Sequence, residues 1–174
     1  AQVNGILPGS IAVPLIEQTA DDFHARYSAT WRLYHYRIST RFGALERHTR
    51  WHVRPAPDLH VMNCAARRLV GRHDFTSFCK SASETDNRIC TVSEAKWRED
   101  IREGDATFVV RADRFLHGMV RSMVGTLMQT GHGLRGEDEI ANILQSRDRR
   151  VAGYSAPSRG LILYAVGYNP TAVP

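Results

Sequence analysis

The sequence predicts an α+β fold: a mixed, mainly antiparallel sheet with helices packed on one face. Three observations carry this expectation. Strand-like segments stand at residues 32–38, 88–97, 106–112 and 160–168, the first with clear period-two alternation. Stretches with apolar residues at helical spacing interrupt them, over about 58–70, 115–130 and 136–149. Runs of strand broken by helices are the pattern of a sheet covered on one side. The 174 residues suffice for one domain with its own core, and no internal repeat or low-complexity tract divides them, so residues 1–174 are read as one domain.

The elements follow in order. Residues 11–16, IAVPLI, are mostly apolar and read as a strand; the turn TADDFHARYSAT comes next. In residues 32–38, Tyr34, Tyr36 and Ile38 share one side, and Leu33, His35 and Arg37 share the other. Asp58 stands at the N-cap of a helix reaching about Val70, with Leu59, Met62, Ala66 and Leu69 on its apolar stripe. GRHDFTSF, residues 71–78, reads as a loop entering a short turn. Residues 88–97 and 106–112 read as two strands joined by the polar turn EDIREGD. A helix over residues 115–130 ends at Gly131, a C-cap residue. GEDEIANILQSRDR is a second such helix, whose early acids suit the positive end of the helix dipole. Residues 160–168 form the last strand.

The net charge is +5, and every basic residue except Lys80 and Lys96 is arginine. Arginine recognises phosphate through a planar, two-pronged fork, so the balance favours a polyanionic partner such as nucleic acid. An arginine-rich composition also arises from genomic base composition alone. No apolar run of about 18 residues suggests a membrane span, and no signal peptide is evident. Cys64, Cys79 and Cys90 make an odd count that fits a reducing compartment, hence the cytoplasm, rather than a disulfide scaffold. The chain begins at Ala1 amid a strand-and-loop pattern, which suggests a piece of a longer protein.

Several motifs carry little. GHGLRG, residues 131–136, matches G-x-G-x-x-G but follows a helix, whereas a dinucleotide site needs a strand before it. His48 and His52 are four apart, with His60 beyond, yet their segment has little helical periodicity and no glutamate between them to act as a base. Cys79, Cys90 and His73 lack the spacing of the common zinc classes. No G-x-S-x-G marks a serine nucleophile. The spacings therefore favour neither a dinucleotide site nor a zinc site.

RFLHGMVRSMVGTL, residues 114–127, poses a sharper question. Met119, Val120, Met123, Val124, Leu127 and Met128 make a buried stripe, and His117 and Arg121 would share its flank. Two readings are open. Arg121 either lays its stem over the core edge and carries its charge to water, or aims that charge at a site.

The order of LPGSIAV, DDFHARYSATWRLYHYRI, GRHDFTSF, ADRFLHGMVRSMVGTLMQTGHG and RDRRVAGYSAPSRGLILYAVGY resembles the C-terminal portion of the tRNA pseudouridine synthase A family over nearly the whole chain. The resemblance implies isomerisation of uridine to pseudouridine in the anticodon arm of tRNA, without cofactor. It also implies a homodimer whose RNA groove crosses both subunits. In such a site one aspartate is the essential group, a tyrosine stacks on the target base, and a basic residue holds the aspartate ionised. By resemblance the tyrosine falls on Tyr34, the basic residue on Arg121, and a leucine lining the pocket on Leu161. Physical chemistry suits these roles: a fixed guanidinium keeps a carboxylate charged in a dry pocket, and a phenol offers a stacking face. Tyr34 and Arg121 are therefore expected to face one cleft.

One departure matters. The family's aspartate stands in a G-R-T-D-A-G-V-H motif that these residues do not contain. Asp74, in GRHD, precedes FTSF, which matches a different family segment, so it reads as a turn or capping residue. The chain alone is expected to lack its nucleophile and not to turn over. His24, Arg26, Arg32 and His117 are candidate RNA contacts, since the cost of turning out a base must be offset by contacts to the backbone. For Arg32 ordinary surface charge is an equal reading. A non-catalytic RNA-binding module of the same fold is the alternative function.

Overall fold

The computed structural model describes residues 3–80 and 86–168. Six strands form one sheet: β1 (Trp31–Ser39), β2 (Trp51–His52), β3 (Gly71–Asp74), β4 (Ile89–Glu99), β5 (Asp105–Ala112) and β6 (Leu161–Gly167). Their order is β2-β1-β5-β4-β3, with β6 also on β1. β1 runs antiparallel to β5 from Arg32↔Ala112 to Ser39↔Asp105. Its other edge is shared: β6 pairs antiparallel along residues 31–36, and β2 pairs parallel at Ile38 and Ser39. The single parallel pair makes the sheet mixed, and the remaining pairs are antiparallel.

Three helices, α1 (Leu59–Arg67), α2 (Met119–Gly131) and α3 (Glu139–Ser146), pack with the sheet around one core. Tyr36, Ile38, Phe108 and Val110 supply it from the sheet, and Met62, Met123, Leu127 and Ile143 from the helices. Among the described residues the opposite face holds a small cluster of Trp31, Leu33 and Val109, with the Arg111 guanidinium 4.2 Å from the Trp31 ring centre. The α+β arrangement expected from the sequence is borne out, and so are the two unlike faces of β1.

The capping logic holds at α1. The Asp58 carboxylate accepts from His60 N at 2.8 Å and Val61 N at 3.0 Å, satisfying two donors the helix cannot pair itself. One turn further, Asn63 bonds Trp97 in both directions, at 2.8 and 3.1 Å. It completes the β4 ladder where β3, paired only to residues 89–92, has run out.

Five expectations need correction. Residues 11–16 form no strand. Ile11, Leu15 and Ile16 are exposed, Pro14 lacks a donor, and Val13 bonds the Asn4 side chain instead of a neighbouring strand. Residues 71–74, read as loop, are β3, because pairing with β4 outweighs the turn preference of Gly71 and Asp74. The helix expected from residue 115 begins at Met119, since Gly118 is left-handed at φ 77° and interrupts it. Its last residue is Gly131, with His132 as cap; a Cβ on Gly131 would press to 2.7 Å of the Met62 side chain, so close α1–α2 packing explains this glycine. The third helix stops at Ser146 rather than about residue 149, where Arg147 turns left-handed at φ 50°.

Candidate active site

The segment 152–160 is locked between α2 and β1, and this locking shapes the site. Arg121, in the first turn of α2, donates from Nε to Ala156 O at 2.6 Å, while Ala156 N donates back to Arg121 O at 2.9 Å. The buried Tyr36 hydroxyl donates to Pro157 O at 2.7 Å. Gly153 N donates to Thr126 Oγ1 at 2.9 Å. Arg149 closes the turn, donating to the carbonyls of Ala152 and Gly153 and to Ser155 Oγ. Two glycines permit the approach. A Cβ on Gly125 would lie 1.8 Å from Tyr154 O, and one on Gly160 would lie 2.6 Å from Arg37 O.

Arg121 is thus held by its Nε and its backbone, and its terminal nitrogens have no partner among the described residues. A guanidinium fixed on one side and open on the other is prepared for a carboxylate or phosphate.

Tyr34 and Leu161 lie on the same side of the sheet as Arg121. Both pack against the main core, with Leu161 opposite Tyr36 and Leu163 opposite Tyr34 across the β1–β6 ladder. The Tyr34 ring meets Phe115 edge-on at 5.0 Å. Burial pushes the Tyr34 phenol up, with Arg32 pulling weakly against it, so it stays neutral. The phenol that Arg121 bears on electrostatically is Tyr36. Burial raises that group strongly, and the charges of Arg121 and Arg159 only partly offset the rise. Among the described residues no hydrogen bond or ring contact joins Arg121 to Tyr34 directly. Tyr36 and the 152–160 segment stand between β1 and Arg121.

His117 is not on the helix and does not share a face with Arg121. It is exposed in the turn before Gly118, where its carbonyl accepts from Lys80 N at 3.0 Å. His24 and Arg26 stand in a compact turn. His24 Nδ1 accepts from Arg26 N and Tyr27 N, and the Arg26 guanidinium lies 5.6 Å from the Tyr27 ring centre. That turn is pinned near the end of β6, where Tyr168 OH donates to Ala25 O at 3.0 Å. Arg32 spends its donors internally, on Ala29 O at 2.9 Å, on Asp113 O at 2.7 Å and on Arg26 O. It fixes the turn that carries His24 and Arg26.

Sequence reasoning missed Tyr36, Phe115, Leu163 and Ala156 as neighbours of the site. The alternation of Tyr34 with Tyr36 was the available signal for the second tyrosine. Asp74 proves to be a turn residue: its Oδ1 accepts from Thr76 N at 2.9 Å and Thr76 Oγ1 at 2.6 Å. No group of three His, Cys, Asp or Glu side chains is arranged to hold a metal among the described residues. The Cys90 thiol is pushed up to about 12 by burial, which leaves it unreactive. Among those residues, no helix is long and apolar enough to cross a membrane.

Comparison with known proteins shows the family. A family model described as tRNA pseudouridine synthase matches residues 65–169. The tRNA pseudouridine synthase A of Halalkalibacterium halodurans is 41% identical over 163 residues, spanning 92% of this chain and 61% of that protein. The enzyme of the same name from Bacteroides thetaiotaomicron is 39% identical over 170 residues, 96% of this chain and 62% of the relative. That of Azorhizobium caulinodans is 42% identical over 164 residues, 92% and 62%. The chain therefore spans about three fifths of the length of these curated relatives. By the extent of the family match and the identity to these relatives, the chain belongs to the tRNA pseudouridine synthase family.

Proposed function

We propose that this chain is the C-terminal, catalytic-type portion of a tRNA pseudouridine synthase, acting on uridine in the anticodon arm of tRNA. The C1′–N1 bond breaks, the base turns, and C5 bonds to C1′. The proton lost from C5 is matched by the one gained at N1, so the reaction is an isomerisation. Tyr34 stacks on the target base, Leu161 lines the pocket, and the open side of Arg121 orients and ionises an aspartate contributed from outside these residues. His24, Arg26 and His117 contact the RNA backbone, and Arg32 holds the turn that presents the first two. The complete enzyme works as a homodimer in the cytoplasm and needs no metal or organic cofactor.

The observation that carries this reading is the two-way bond between Arg121 and Ala156, which leaves the terminal guanidinium nitrogens unspent among the described residues. Co-expression with the N-terminal region of a relative, which would carry the G-R-T-D aspartate, tests it. Pseudouridine should form in an anticodon-arm RNA. If both pieces fold and associate but no product forms, the reading is wrong. The absence of that aspartate motif from these residues favours a second reading, an RNA-binding module without turnover. Binding to the same RNA without any product would support it.

A further inference from the structure

A concavity of about 270 Å³ opens at the far end of β1, beyond Tyr36, and Ser39 and Arg159 form part of its wall. Its size is near the lower end of ligand clefts, roughly 300 Å³. Phe42, 79% exposed, stands at its rim and meets the His52 ring edge-on at 5.5 Å. A large aromatic left this open beside an imidazole is a stacking platform in search of a flat partner.

The charge around it is unevenly spent. Arg50 is consumed by Asp100 at 2.8 Å, Asp105 at 3.6 Å and Glu46 at 3.8 Å. Glu46, the acid in the wall, is further matched by Arg102 at 2.8 Å. Three lining guanidinium groups remain. Arg47 gives one N–H to Ala44 O, and the side chains of Arg41 and Arg159 have no hydrogen bond or ion pair among the described residues. The acids are thus neutralised by buried or bridging arginines, while the rim keeps an excess of positive charge. Aromatic faces flanked by open guanidinium groups suit a nucleotide, whose base stacks and whose phosphate takes two-pronged bonds.

The pocket and the candidate active site share neighbouring stretches of β1 and of the segment before β6. Arg159 lies two residues after Pro157, whose carbonyl accepts from Tyr36, and its charge acts on that phenol. Ser39 is five residues along β1 from Tyr34, about 17 Å at ~3.4 Å per residue. That is about five stacked base steps of one strand, and fewer once the strand is unstacked.

We propose that this pocket is a second nucleotide site. It takes an unpaired nucleotide a few positions from the reacting uridine, stacks its base on Phe42 and His52, and holds its phosphate with Arg41, Arg47 and Arg159. The inference rests on the proposed action on RNA, and adds to it a fixed register between the target base and a flanking one.

The test uses the chain reconstituted with a relative's N-terminal region and an anticodon-arm RNA. Phe42→Ala should raise KM about tenfold, in line with the loss of one base–aromatic stack, with the effect on KM rather than kcat. Phe42→Trp should restore it. Arg47→Gln should weaken binding and lower the salt dependence by about one phosphate contact. Unchanged KM in Phe42→Ala and Arg47→Gln, with turnover intact, overturns the second site and leaves the proposed function standing. If Phe42→Ala instead loosens the association of the two pieces, Phe42 is a protein contact and the inference falls. No turnover by the unaltered, folded and associated enzyme removes the proposed function and this inference together.

Discussion

Arg121 has an observed structural role and, in the proposed function, a chemical one as well. Its Nε bond to Ala156 O and the returning bond from Ala156 N tie α2 to the segment before β6, and the same constraint fixes the direction of the guanidinium. Arg121→Lys keeps the charge but loses the planar fork, so it should bind RNA while turning over poorly. Arg121→Ala should lower kcat in the reconstituted enzyme by on the order of 100-fold or more, as removal of an oriented charge in a water-poor site does. Single-turnover kinetics at saturating RNA would measure this. Near-normal turnover in Arg121→Ala would mean the residue only covers the core edge. At this scale the sequence was legible in part. The spacing of Met119, Met123 and Leu127 exposed the buried stripe and set Arg121 at its edge. The spacing was wrong for His117, because one left-handed glycine between the two residues removes His117 from the helix.

At the scale of elements, the deciding event is the contact between α2 and the 152–160 segment. Helical periodicity says which face of α2 is buried, not that the buried partner at Gly125 is a backbone carbonyl rather than a side chain. Such contacts between distant segments leave no local pattern, and for the same reason β3 and the open coil at residues 11–16 are not legible in the sequence. The pairing that makes residues 71–74 a strand comes from β4, and residues 11–16 lack any such partner among the described residues. Asp58, by contrast, acts within three residues of itself, and its capping role was readable. Gly125 gives the test. A Cβ there would come within 1.8 Å of Tyr154 O, too close for a flexible side chain to relieve. Gly125→Ala should therefore push the segment off α2, costing about 1–3 kcal/mol. It should lower turnover more than stability alone explains, because Arg121 loses its acceptor. Urea unfolding and kcat measured on the same variant separate the two effects.

At the scale of the whole molecule, a polar link joins the edge strand β3 to the residue that ends α3. Asp74, at the end of β3, takes two bonds from Thr76 through Oδ1 and faces Arg147, beyond α3, at 3.2 Å through Oδ2. Burial alone would raise this carboxyl, but the Thr76 bonds and the charges of Arg147 and Arg88 outweigh it, so the folded protein holds it below the ordinary range. The sign for stability follows. An acid whose folded value is depressed contributes fully above its unfolded value, about 3.9, and the contribution is lost as pH falls through the folded value. Asp74→Asn should thus lower the urea midpoint at pH 6. The gap between variant and parent should narrow as the pH drops below about 4, where the parent's carboxylate also takes up a proton. Part of the Asp74 contribution is screened because Arg147 is largely exposed, so raising the salt concentration at pH 6 should also narrow the gap, but incompletely. The two Thr76 bonds survive salt and tie the residue 71–78 segment to its own turn. A gap that stayed constant from pH 6 to pH 3 would show that Asp74 acts through packing and not through its charge.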